Sequence, residues 1–204
     1  MSKCLNIAVE CAVDARNTTG ESPLWSAREA ALYWVDIPDG LYSLDRDHRC
    51  AWMAGDVRVS NGLAWSPDGQ TMYHSDSRGG AIFCYDYDAE AGAIGQREVF
   101  VTTLPEWGRP DGGATDEEGC YWSCGVSGGR INRFSRSGEL IEYVEVPITH
   151  PTMPCFGGTD GRTLYVTSLR ENLSAAELAR TPQAGGVFML EPGVGGAPAA
   201  LYKG

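Results

Sequence analysis

The chain has 204 residues, 43% of them hydrophobic, and its 16 basic and 27 acidic side chains leave a net charge of −11. That is enough apolar material for one domain with a sizeable core and too much for a disordered chain. The acidic balance speaks against nucleic acid and anionic membranes as partners, and the absence of any apolar run of about 18 residues speaks against a membrane-spanning helix.

The opening stretch MSKCLNIAVECAVDAR lacks the apolar core of a signal peptide. Within it, residues 7–11 read as a strand able to pair with the last repeat and hide a sheet edge. GESPLWSAREAALYWVDI (residues 20–37) reads as strand, turn, strand. A third strand follows at 41–44, then the charged turn DRDHR and a fourth strand near 56–59. The same order returns three times, opened by SNGLAWSPDGQTMYHSDS (60–77), RPDGGATDEEGCYWSCGV (109–126) and PTMPCFGGTDGRTLYVTSL (151–169). Third strands are expected at 82–85, 131–134 and 187–190, and fourth strands at 98–101, 141–146 and 199–202. One insertion, RENLSAAELARTPQAG, interrupts the last repeat, and SAAELAR has the composition of a short helix.

A period of roughly 40–50 residues with four short strands per unit is the signature of a β-propeller. The fold class expected is therefore all-β, one propeller domain over residues 1–204 with four visible blades. The turn dyads are Asp68-Gly69, Glu118-Gly119 and Asp160-Gly161, and Asn61, Asp111 and Met153 stand seven residues before them. Glu21 holds that place in the first repeat, because Trp25 and Tyr33 match Trp65 and Tyr73. Equivalent positions of inner strands converge on the propeller axis, so Glu21, Asn61 and Asp111 are expected in one channel. Glu and Asp carboxylates with an Asn carbonyl suit a hard cation such as Ca²⁺.

Other residues read more plainly. The recurring aromatics Trp25, Tyr33, Trp65, Tyr73, Trp122 and Tyr165 are expected to pack between blades. Asp36 and Asp76 occupy equivalent, structural places. His48, His74 and His150 show no metal-binding spacing, although His150, just before the PTMPCFGG strand, is placed where it could face the channel mouth. Seven cysteines without CxxC spacing are expected as buried free thiols in a reducing compartment, which places the chain in the cytoplasm. There is no GxSxG nucleophile elbow and no phosphate loop.

GESPLW, LYWVDI, SNGLAWSPDG, RPDG, PTMPCFGG and LYVTS together resemble the family of senescence marker protein 30, gluconolactonase and luciferin-regenerating enzyme. The resemblance implies a six-bladed lactonase-type propeller with one divalent metal in its channel, held by the Glu after Gly, the Asn of SNG and the Asp of the later PDG. These fall on Glu21, Asn61 and Asp111. Ca²⁺ is the first expectation, with Zn²⁺, Mn²⁺ or Mg²⁺ as alternatives. About two blades of the family pattern have no counterpart here, including an RxNDG-type segment that contacts the sugar. The loss is placed internally, near residues 50–57. Four blades of six-fold geometry would cover about 240°, and an open arc would invite a second copy as a homodimer partner.

The activity implied is hydrolysis of a sugar lactone by a metal-activated water, with Asp111 also serving as general base. The alternative is a metal-binding or interaction propeller impaired in catalysis by the loss of its substrate-binding blades.

Overall fold

A computed structural model describes residues 15–18, 20–26, 31–45 and 47–198, and only the backbone of 21–26. The first sheet consists of β1 (Gly20–Ser26), β2 (Ala31–Asp36), β3 (Gly40–Leu44) and β4 (Cys50–Ala54). The second consists of β5 (Ser60–Trp65), β6 (Thr71–Asp76), β7 (Ala81–Asp88) and β8 (Ala93–Thr102). The third holds β9 (Arg109–Thr115), β10 (Tyr121–Val126), β11 (Arg130–Phe134) and β12 (Leu140–Glu145), and the fourth β13 (Pro151–Gly157), β14 (Thr163–Ser168) and β15 (Val187–Leu190). Each sheet is an antiparallel meander in chain order. The strands β5 and β9, and β9 and β13, lie against each other as the inner edges of successive blades. Gly69, Gly119 and Gly161 have φ of 68°, 84° and 72°, which is why the turn dyads end in glycine. No helix among the described residues is long and apolar enough to cross a membrane.

The core is three slabs between neighbouring sheets. Tyr33, Val35 and Leu41 of the first sheet meet Leu63, Met72 and Tyr87 of the second. Tyr73 and Ile82 of the second meet Tyr121 and Phe134 of the third. Trp122, Cys124 and Ile131 of the third meet Leu164 and Val166 of the fourth. Burial of each large side chain contributes about 1.5–3 kcal/mol.

The expectation that all the recurring aromatics pack between blades is corrected at Tyr165. Register pairs Tyr33 with Leu24, Tyr73 with Ala64, Trp122 with Ala114 and Tyr165 with Cys155, so these four are equivalent positions. Tyr33, Tyr73 and Trp122 are 1%, 3% and 1% exposed and point toward the next sheet, whereas Tyr165 is 38% exposed. The fourth sheet has no described successor on that face, and Val187 and Met189 beside it are exposed too.

Three further expectations shift. The fourth strand of the first blade is Cys50–Ala54, not 56–59. Asp45 closes the preceding turn early, its Oδ1 accepting from the N–H groups of Asp47 and Arg49. The expected strands at 7–11 and 199–202 lie outside the described residues. The described cysteines are free, but only Cys120 and Cys124 are buried; Cys50, on an outer strand, and Cys155, beside Tyr165, are exposed. The insertion does form a helix, α1 (Ala175–Arg180), whose capping box joins Ser174 and Glu177 reciprocally.

Candidate metal centre

All four innermost strands carry an irregularity at one place. The register breaks between Glu21 and Leu24 on β1, between Asn61 and Ala64 on β5, and between Pro151 and Pro154 on β13. On β9 the break lies between Pro110 and Gly113, opposite Gly125 and Ser123. Bulges re-aim side chains that a regular pleat would send into the blade faces. The four repeat-equivalent residues Glu21, Asn61, Asp111 and Met153 sit at these breaks.

Asn61 is 9% exposed. Its Nδ2 donates to Ser77 Oγ at 3.0 Å and to Asp111 Oδ1 at 2.6 Å. With both amide protons engaged, Asn61 presents its Oδ1, which accepts no hydrogen bond from the described residues. Met153 of β13 packs against the neighbouring Gly112: a Cβ there would lie 2.3 Å from its Sδ. The backbone of Glu21 pairs with Val35, and its side chain lies outside the described residues. Asn61 and Asp111 are thus brought together, Met153 lies beside Gly112 on the next inner strand, and Glu21 is placed at the matching bulge of the first sheet.

The glycine of SNG has a packing reason. Gly62 has φ +61°, and a Cβ there would lie 2.2 Å from Ser75 Oγ, 2.5 Å from Tyr121 Oη and 2.8 Å from Asp111 O. Tyr121 Oη donates to Gly62 O at 2.7 Å. Burial pushes its phenol pKa above the usual value, with Tyr73, Cys124 and Asp111 adding to the shift, so it remains a protonated donor. Cys124, behind Asp111, is likewise held protonated by burial and by that carboxylate, which removes it as a nucleophile. Tyr121, Ser75 and Ser77 escape sequence reasoning because ordinary strand spacing carries them; their roles appear only when β5 is laid against β9.

A second buried pair backs the site. Ser60 Oγ and His74 Nε2 are 2.6 Å apart and both residues are fully buried. His74 Nδ1 has no partner. Burial lowers the His74 pKa from 6.5 to about 4, with Arg97 lowering and Asp76 opposing. The folded value lies below the unfolded one, so the neutral ring's contribution is complete above about pH 6.5 and is lost as pH falls toward 4. The loss amounts to about 3 kcal/mol at 1.36 kcal/mol per pKa unit. Urea unfolding across this window is expected to lose less stability in His74→Gln than in the parent; parallel curves would remove His74 as the cause.

The donor set suits a hard cation. Asn61 Oδ1 and the Asp111 carboxylate are oxygen donors on adjacent strands, and Glu21 would add a second carboxylate. Among the described residues no three His, Cys, Asp or Glu side chains cluster; the expected set draws instead on an amide and on Glu21. Two surface cavities, about 660 Å³ beside Gln70, Asp88 and Glu90 and about 270 Å³ beside Asp68, Tyr73 and Phe100, open at the opposite end of the sheets. They lie at the turn after β5, whereas Asn61 and Asp111 lie at the strand starts.

Comparison with known proteins adds the following. A family model described as the SMP-30/Gluconolactonase/LRE-like region matches residues 38–170. The chain is 46% identical over 194 residues to 6-deoxy-6-sulfogluconolactonase of Pseudomonas putida, covering 93% of this chain and 66% of that protein. It is 38% identical over 166 residues to regucalcin of Gallus gallus, covering 80% and 56%. Among solved structures, a calcium-binding regucalcin from Agrobacterium tumefaciens superposes with a TM-score of 0.80 at 29% identity, covering 90% of this chain and 64% of that one. A luciferin-regenerating enzyme superposes with a TM-score of 0.80 at 28% identity, covering 95% and 70%. The chain thus spans between about half and two thirds of the length of the curated relatives it matches.

Proposed function

Since the chain belongs to the SMP-30/gluconolactonase/LRE-like family, we propose that it hydrolyses a sugar lactone with the help of one divalent cation, Ca²⁺ in the first instance. The observation that carries this reading is the meeting of Asn61 and Asp111 at 2.6 Å on two bulged inner strands. The name of the Pseudomonas putida relative specifies a gluconolactone with a sulfonate at C6, and aldonolactones of this type are the substrates we infer.

Glu21, the Oδ1 of Asn61 and the carboxylate of Asp111 would hold the cation. When bound, the cation supplies Lewis-acid polarisation of the lactone carbonyl and acidifies a water. Asp111 takes the proton that this water gives up as its oxygen bonds to the carbonyl carbon. The ring C–O bond then breaks, and the proton passes to the departing ring oxygen to leave a hydroxy acid. Ser77 Oγ accepts from the Asn61 amide nitrogen and so helps to hold that side chain beside Asp111.

The test is proton release from a panel of aldonolactones with Ca²⁺, Zn²⁺, Mn²⁺ and Mg²⁺ in turn, spontaneous hydrolysis being subtracted. Metal-stimulated ring opening that disappears in Glu21→Ala supports the reading. Activity that persists in the variant assigns the chemistry to other residues. No turnover with any ion or lactone favours the interaction-propeller reading, to which the exposed face of Tyr165, Val187 and Met189 is suited.

A further inference from the structure

Three arginines lie on the segments that carry Asn61 and Asp111, and among the described residues none of them has a carboxylate partner. Arg58 lies in the segment that leads into β5, Arg78 follows β6, and Arg109 opens β9; all three side chains are exposed. Their backbones are pinned around Asn61 and Asp111. The N–H groups of Arg58 and Arg78 donate to the two oxygens of Asp76 at 3.0 and 3.1 Å, and Ser77 N donates to Val59 O at 3.0 Å. Ser77 is also the residue that holds the Asn61 amide. On the facing sheet Arg109 pairs with Val126, two residues before Asp111. The loop that delivers it is held by Asn132 Nδ2 donating to Trp107 O at 3.0 Å.

Among the described residues the ion pairs involve Arg49, Arg133 and Arg162, and none involves Arg58, Arg78 or Arg109. The Asp76 carboxylate that anchors two of them is occupied by four backbone N–H groups, from Arg58, Val59, Arg78 and Gly79. In a chain with 27 acidic and 16 basic side chains, exposed cations without a carboxylate partner, on segments that meet at Asn61 and Asp111, run against the overall field. That field repels anions, so an anionic ligand needs local positive charge at the mouth to approach. Guanidinium groups stay charged at any working pH, and their planar donor fork matches the oxygens of a sulfonate or phosphate.

We propose that Arg58, Arg78 and Arg109 form an anion-recognising rim over the Asn61–Asp111 site, making a sugar lactone with a negatively charged substituent the preferred substrate. The inference rests on the lactonase reading. It also supplies recognition where the RxNDG-type sugar contacts are missing. The lactone carbonyl would face Asn61 and Asp111, and the charged substituent would reach outward to the rim.

The test compares kcat/KM for glucono-δ-lactone, 6-phosphoglucono-δ-lactone and 6-deoxy-6-sulfoglucono-δ-lactone in the full chain and in the triple variant Arg58→Gln, Arg78→Gln, Arg109→Gln. Charged hydrogen bonds to the substituent are expected to favour the anionic lactones by about tenfold or more at low salt. The preference is expected to shrink at high ionic strength and to fall toward one in the triple variant. The sulfonate and phosphate arms identify which anion the rim fits better. Equal rates for neutral and charged lactones, or a preference that survives the triple variant, would overturn the inference while leaving the lactonase reading intact. If no lactone is turned over, that reading fails, and calorimetric titration with 6-deoxy-6-sulfogluconate against gluconate decides the rim separately. Binding of the sulfonate alone, lost in the triple variant, supports it; equal or absent binding of both overturns it.

Discussion

Asp111→Ala is expected to lower metal-stimulated lactone hydrolysis by about 10²–10⁴-fold, the range for removing a positioned proton acceptor. It is also expected to abolish the thermal stabilisation produced by added cation. A divalent ion held at 100 times its Kd stabilises the native state by about 2.7 kcal/mol, which for a chain of this size raises Tm by about 5–10 °C. Both effects follow from one geometry, because Asp111 Oδ1 is the acceptor that Asn61 Nδ2 meets at 2.6 Å across the second and third sheets. Asp111→Asn keeps the shape and removes the charge. It is expected to retain the parent's Tm without metal and to share the alanine variant's loss of activity and metal response. If parent and both variants show the same Tm rise with added ion, Asp111 is not a ligand.

Arg133→Ala is expected to destabilise the fold by about 3–5 kcal/mol, the cost of leaving a buried carboxylate without its partner. Arg133 Nε donates to Asp116 Oδ2 at 2.8 Å, while its terminal nitrogens reach Glu118 at 2.7 Å and Glu142 at 2.9 Å. Burial works against its charge, but hydrogen bonds to Glu118, Asp116 and Glu142 outweigh that and raise its pKa above the ordinary value. Asp116 is fully buried. It also accepts the backbone N–H groups of Glu118 and Cys120 and the indole N–H of Trp122. Removing the guanidinium therefore leaves a charge that the three remaining donors only partly satisfy. Arg133→Lys is expected to recover little, since one ammonium cannot meet three carboxylates lying in a fork. Urea midpoints report the loss, with a Tm lower by about 6–20 °C. A change within about 0.5 kcal/mol would show that the network contributes nothing net.

Much of this molecule is legible in one dimension. Hydrophobic alternation and the Asp68-Gly69, Glu118-Gly119 and Asp160-Gly161 dyads mark the hairpins, because period two and positive-φ glycines are local requirements that any sheet imposes. The repeat position of Glu21, Asn61, Asp111 and Met153 is legible for the same reason: copies of one supersecondary unit put equivalent residues at equivalent places. Motif spacing alone could not show that the position is a bulge. A bulge is a mismatch between two strands, and register has no trace in the spacing within one of them.

Packing across sheets decided the rest. Tyr33, Tyr73, Trp122 and Tyr165 read alike along the chain, yet three are buried and the fourth is exposed, because burial depends on whether another sheet lies in front. His74 carries no motif, and only its enclosure beside Ser60 makes it titrate far below a free histidine. Arg58, Arg78 and Arg109 come from three separate segments. Asp76 and the β5–β9 contact fold those segments together, and only that meeting puts the proposed rim within reach of one site. Local periodicity, turn chemistry and repeat spacing are properties of short stretches, so the amino-acid order carries them outright. Burial, bulge register and the pairing or isolation of charges are properties of surfaces that meet over long sequence separations, and only the assembled sheets bring those surfaces together.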